Sequence, residues 1–175
     1  MNIDEIDFYE LCLQEGEHFY SDIQNLERNL FNQWIRENLR EIKEVISFEE
    51  VAPQQNLLNT ITGLGYEHRY YQCHYSAKAL TILHDRCIYF TGFLQQNSNY
   101  YPIITHSFNI LNEEIIDLAR IENQEDLFTN DDRSSLPHLY YGIEIPREFI
   151  LRYREETLNE NSMNPLLYEW FLENN

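Results

Sequence analysis

Cys73, His106 and Asp117 lie in that order in the middle of the chain, each in the setting that thiol-dependent acyl chemistry needs. Cys73 stands in Tyr70-Tyr71-Gln72-Cys73-His74-Tyr75-Ser76-Ala77, at the mouth of a predicted helix. The amides of a helix start and the helix dipole favour a thiolate, which is the nucleophilic form. The same placement turns the Cys73 N–H toward a reacting carbonyl, supplying half of an oxyanion hole. His106 lies in an extended run, Ile103-Ile104-Thr105-His106-Ser107-Phe108-Asn109, and Asp117 closes the next run, Glu114-Ile115-Ile116-Asp117. In an antiparallel hairpin of this length the two side chains come within reach on one face. The imidazole would take the thiol proton, and the carboxylate would hold its tautomer and orientation.

Each of the three has a plainer reading when taken singly. A lone cysteine is commonly a small buried hydrophobe, a strand histidine is often structural, and an aspartate after Ile-Ile can simply end a strand. Zinc is the other chemistry to weigh, because Cys73-His74 and His84-Asp85-Arg86-Cys87 offer four soft ligands. The two pairs sit at opposite ends of one helix, about 15 Å apart at 1.5 Å per residue, too far for one tetrahedral ion. Neither a metal nor a cofactor is called for. His18 and His138 have no ligand partner at a usable spacing, and no phosphate-cradling loop, serine elbow or dinucleotide fingerprint is present.

These residues need elements to hold them. The chain's 175 residues suit one domain with its own core, and a hydrophobic share of 43% with 14% aromatics argues for a folded globule. Only 5 Gly and 5 Pro favour long helices over a many-stranded sandwich. A short helix is expected over 4–14. A longer one follows from the capping box Ser21-Asp22-Ile23-Gln24, with Ile23, Leu26, Leu30, Trp34, Ile42 and Val45 at three- and four-residue spacings. A helix over 54–62 stops at Gly63-Leu64-Gly65. Then come the Cys73 helix through about residue 84, a strand over 87–94, strands near 102–110 and 114–120 joined by a turn at Leu111-Asn112-Glu113, and an acidic loop or frayed helix over 122–135. A strand at 139–145 leads into a helix begun by Pro146, and Asn164-Pro165 opens a final short helix. The expectation is a single α+β domain: a helical part over 1–62, a catalytic core over 63–157 and a C-terminal helix over 158–175.

Charge narrows the partners. The formal net charge is -18, with -9 over residues 1–50, +1 over 51–100 and -10 over 101–175, so the surroundings of Cys73 are nearly neutral while both ends are acidic. Direct binding to a phosphate backbone, which is made by Lys and Arg, is disfavoured. An acidic surface can dock a basic protein, imitate a nucleic acid or simply keep the chain soluble. Cys12, Cys73 and Cys87 are an odd count without framework spacing, which suits a reducing compartment, and Met1-Asn2-Ile3-Asp4-Glu5 is acidic where a secretion signal is basic. The absence of a long apolar run adds to the expectation of a cytoplasmic protein away from membranes.

Together the segments resemble the core of small papain-like cysteine hydrolases of bacterial or phage type. The likeness rests on Gln72-Cys73-His74-Tyr75-Ser76-Ala77, Tyr89-Phe90-Thr91-Gly92-Phe93, His106-Ser107-Phe108-Asn109, Ile115-Ile116-Asp117 and Tyr140-Tyr141-Gly142-Ile143, and it covers about residues 65–155. It implies a papain-like core, a Cys-bearing helix packed on an antiparallel sheet and preceded by N-terminal helices. It further implies Cys73 as nucleophile, His106 as general base and Asp117 as third member. Ser76 stands where that pattern usually has Asn. Such enzymes often place an oxyanion-donating Gln several residues before the cysteine; Glu67 occupies the sixth position before Cys73, and the adjacent Gln72 is taken as the assisting residue instead. The implied activity is hydrolysis of an amide, peptide or isopeptide bond in a protein or peptide substrate. Transglutaminase-like acyl transfer differs only in the acceptor. The competing class is a non-catalytic acidic protein on the same fold that docks a basic partner.

Overall fold

A computed structural model of the chain describes residues 3–16, 25–44, 72–95, 103–121, 138–153 and 163–175. The Ser21–Gln24 box, His18, the helix read at 54–62 with its glycine turn, the aromatic run 66–71, the tip 96–99 and the acidic stretch 122–135 lie outside these residues.

Alternating runs rich in aromatic and β-branched residues form the strands. These are β1 (Arg40–Glu44), β2 (Ile88–Gln95), β3 (Ile103–Leu111), β4 (Glu114–Ile116) and β5 (His138–Ile145). They make one antiparallel sheet in the order β1-β5-β2-β3-β4. The helices are α1 (Phe8–Gly16), α2 (Asn25–Asn38), α3 (Cys73–Leu83), α4 (Leu118–Ile121), α5 (Arg147–Arg152) and α6 (Leu167–Asn174). The protein is therefore α+β, with the cysteine-bearing helix packed on an antiparallel sheet.

Side chains alternate along each strand and divide the sheet into two faces. Phe93, Tyr141 and Ile143 meet α1, α2 and α6 through Phe8, Phe31, Leu167 and Phe171. On the same face Tyr89 and Ile145 pack with Ala77 of α3 and with Phe149 and Ile150 of α5. The opposite face carries Phe90, Leu94, Phe108 and Tyr140 together with Ile115. Phe90 and Phe108 stack at 5.6 Å, and Tyr140 meets the Phe108 ring edge-on at 4.9 Å.

Two expectations about elements change. The long N-terminal helix does not run to Val45: it ends at Asn38, and Ile42 belongs to β1. Ile42 sits opposite Tyr140, and pairing with β5 outweighs a periodicity that one isoleucine fits either way. The run after the hairpin is strand only to Ile116, and Leu118 starts α4, so Asp117 lies on the link between them. The hairpin turn is two residues long. Asn112 and Glu113 have φ of 53° and 71°, the sense of twist that matches paired strands, and Leu111 pairs with Glu114.

Gly92 and Gly142 face one another across β2 and β5, in the row that continues to His106 on β3. A Cβ on Gly92 would come within 2.3 Å of the Tyr141 carbonyl oxygen, so the absence of a side chain is what allows β5 this close.

Candidate active site

Cys73 is the first residue of α3, with Gln72 at the cap position in a non-helical conformation (φ -108°, ψ 59°). The first intrahelical bond runs from the Ser76 N–H to the Gln72 carbonyl at 2.9 Å. The Cys73 N–H thus belongs to the first-turn amides that helix geometry leaves without an intrahelical acceptor. Gln72 is half-buried, and its Oε1 is enclosed with no hydrogen-bond partner among the described residues.

β4 pairs only with residues 109–111 of β3, so among the described residues β3 has no strand beside it on that side at His106. The imidazole is buried and belongs by alternation to the Phe108 and Tyr140 face. Its Nε2 lies 2.8 Å from Asp117 Oδ2, and the Tyr140 hydroxyl donates to the same oxygen at 2.9 Å. A carboxylate on Nε2 fixes a proton there and leaves Nδ1 as the ring nitrogen for the thiol. Tyr140 in turn holds the carboxylate, and nothing in the sequence linked these two residues.

The His106 ring and the Cys73 side chain lie close enough for each to shift the proton affinity of the other. Burial alone would push the thiol up, but the His74 and His106 rings beside it outweigh that and bring it down from 9.0 to about 6. Burial likewise disfavours a charged His106, yet Asp117 and the Cys73 thiolate raise it from 6.5 to about 10. The pair is therefore a thiolate and an imidazolium across neutral pH. The structure brings Cys73, His106 and Asp117 into one buried cluster, with Gln72 beside it.

Two further residues of α3 join the cluster. His74, quoted in the sequence pattern without a role, is buried, and its Nδ1 lies 2.6 Å from Ser107 Oγ. Lys78 is fully buried and donates from Nζ to the Asn164 carbonyl. Burial lowers its ammonium from 10.5 to about 7 against the pull of Glu169 and Cys73. The available signal was that every residue from Cys73 to Ile82 is apolar, small or aromatic except the few polar ones, so a helix wrapped on all sides buries them too.

The other two cysteines are core residues. Cys12 packs with Phe8 and Phe31, and Cys87 with Leu80, Ile116 and Leu118. Burial pushes the Cys87 thiol up to about 11. Among the described residues no group of three or more His, Cys, Asp or Glu side chains could hold a metal ion, and no helix is long and apolar enough to cross a membrane. No protein-family model matches the chain, and neither a curated protein nor a solved structure matches it.

Proposed function

We propose that the protein is a cysteine hydrolase of papain-like type that cleaves an amide, peptide or isopeptide bond through Cys73, His106 and Asp117. The observation that carries this reading is the chain of contacts from a helix-start thiol to His106 and on to Asp117 at 2.8 Å, all buried. In the acylation step the Cys73 sulfur attacks the carbonyl carbon and a C–S bond forms. His106 then delivers its proton to the leaving nitrogen as the C–N bond breaks. In the second step water attacks the thioester, its proton passes to His106, and the C–S bond breaks with the electron pair returning to sulfur. The Cys73 N–H at the helix start supports the transient oxyanion, and Gln72 lies next to it. Asp117, held by Tyr140, keeps the ring in the tautomer both steps use. A protein or peptide is the substrate class, and an amine acceptor in place of water would make the same site an acyltransferase.

A generic acyl donor tests this without knowledge of the natural substrate. p-Nitrophenyl acetate should release a burst of p-nitrophenolate, leave an acetyl group on Cys73 by intact mass, and then turn over slowly. Cys73→Ala should lose both burst and adduct, and Asp117→Asn should slow turnover on the order of 10²-fold or more while the fold is retained. Equal ester cleavage by wild type and Cys73→Ala would count against the hydrolase reading.

A further inference from the structure

α3 carries Cys73 and β3 carries His106, so the seating of one element on the other sets how thiol and imidazole meet. Among the described residues, buried side chains hydrogen-bond α3 to β3 at two points. Toward the far end of α3, Asn109 Nδ2 donates to the Ala77 carbonyl at 3.1 Å and to Thr81 Oγ1 at 2.8 Å. At the Cys73 end the fastening is Ser107, which follows His106 along β3 and by alternation faces α3. Its Oγ lies 2.6 Å from Nδ1 of His74, the residue after Cys73, 2.8 Å from Thr91 Oγ1 and 2.9 Å from Tyr89 Oη. A hydroxyl has one donor and two acceptor sites, so three neighbours use it completely. His74, Ser107, Thr91 and Tyr89 are all enclosed, and no solvent competes for these bonds.

Behind Tyr89 stands the C-terminal segment. The Tyr89 hydroxyl donates to the Pro165 carbonyl at 3.0 Å, and Lys78 of α3 donates to the carbonyl just before it, that of Asn164. The corner has a fixed shape: Leu166 is left-handed, with φ of 60°, and its N–H donates to Asn164 Oδ1 at 2.8 Å. A chain of hydrogen bonds thus runs from this corner through β2 and β3 to α3, and it passes through the two residues that adjoin Cys73 and His106.

We propose that Ser107 is a positioning residue of the thiol site, a rivet between α3 and β3 that Tyr89 braces against the Pro165 carbonyl, so that the C-terminal corner helps to set the spacing of Cys73 and His106. The proposal rests on the hydrolase reading for the work done by the sulfur and names a further residue for the same reaction. That work is sensitive to spacing, since attack by sulfur and proton transfer from imidazole must both reach one scissile bond. The titratable groups around the thiol are His74 and Lys78 on α3, Tyr89 on β2, His106 on β3 and Glu169 on α6, with Asp117 and Tyr140 behind His106.

The test is the pH dependence of Cys73 alkylation by iodoacetamide, which requires no turnover and reads how closely the imidazolium is held to the thiolate. Ser107→Ala removes the rivet and nothing larger than a hydroxyl. It should raise the alkylation midpoint by about one pH unit, which is about tenfold slower labelling on the acid side of both midpoints. Tyr89→Phe leaves Ser107 on His74 and Thr91 but cuts the brace, and it removes no charge, because burial keeps the Tyr89 hydroxyl protonated. It should raise the midpoint by about half a unit, or roughly threefold slower labelling, and it decides the matter if Ser107→Ala does not fold. Ile35→Val, a loss of packing in the core cluster of α1, α2 and α6, should keep the wild-type midpoint, which separates positioning from lost stability. Midpoints for Ser107→Ala and Tyr89→Phe equal to wild type, or a rise matched by Ile35→Val, would overturn the proposal. A rise in Ser107→Ala alone would overturn the part given to the C-terminal corner. Failure of p-nitrophenyl acetate hydrolysis with shifted midpoints would remove the hydrolase reading alone, whereas normal turnover with unmoved midpoints would remove only the role of Ser107.

Discussion

Cys73 and Cys87 are both buried, 7% and 2% exposed, so chemistry more than access should separate them, and the size of that separation can be worked out. With its thiol at about 6, Cys73 is about nine-tenths ionised at pH 7. With its thiol at about 11, Cys87 is ionised to only ~10⁻⁴. The ratio of thiolate is therefore on the order of 10⁴. A less basic thiolate is also a weaker nucleophile, by a Brønsted slope of about 0.4–0.5, and over the interval between these two thiols that returns roughly 10²-fold or slightly more. Cys73 should thus react with iodoacetamide on the order of 10²-fold faster than Cys87 at neutral pH. The assay is timed alkylation followed by peptide mass, with Cys73→Ala and Cys87→Ala to assign the signals. The shape of the two profiles separates ionisation from access. Labelling of Cys73 should reach half its maximum near pH 6 and flatten above, whereas Cys87 should gain about tenfold per pH unit up to its own midpoint. Parallel profiles, or a Cys73 midpoint at the ordinary thiol value, would refute the reasoning that two imidazoles and a helix start govern this sulfur.

Two further outcomes follow from the packing. Lys78 falls from 10.5 in an unfolded chain to about 7 in place, so between these values the unfolded state binds the proton that the native state refuses. The burial penalty is absent above the unfolded value, grows as pH falls, and is complete below about 7. Wild type should therefore gain stability relative to Lys78→Met as pH rises from about 7 to about 10, by on the order of a few kcal/mol. Urea unfolding of both proteins across that range checks this, and a difference independent of pH would contradict it. The Asn164 carbonyl that loses its donor in the variant adds only a constant offset. Gly92→Ala would drive a methyl into the Tyr141 carbonyl at 2.3 Å and against the Gly142 Cα at 3.0 Å, and both obstacles are backbone. β5 must move away from β2, so a loss of about 3 kcal/mol and a melting temperature lower by roughly 6–12 °C are expected by calorimetry. An unchanged melting temperature would show that the two strands are not packed this closely.

Much of the site is legible from local pattern. Cys73, His106 and Asp117 are held by a helix whose start follows Gln72 and by a hairpin whose turn contains Asn112 and Glu113, and both are short-range features. Spacing across that turn is enough to pair His106 with Asp117, because a two-residue loop sets the register of the strands it joins. Local pattern stops where partners come from far along the chain. Arg40–Glu44 reads as the end of a helix until β5, about a hundred residues later, offers an edge to pair with. Tyr140 meets Asp117 across 23 positions, His74 meets Ser107 across 33, and Lys78 reaches Asn164 across 86. The amino-acid sequence by itself determined the helix start, the hairpin and the three residues that could act together, because each depends on periodicity or turn geometry over a few residues. Which groups surround the sulfur, hold the His106 ring through Asp117 and Tyr140 and enclose a lysine was decided only by the packing of α3 against the sheet and α6, since burial and long-range hydrogen bonding arise only once distant segments meet.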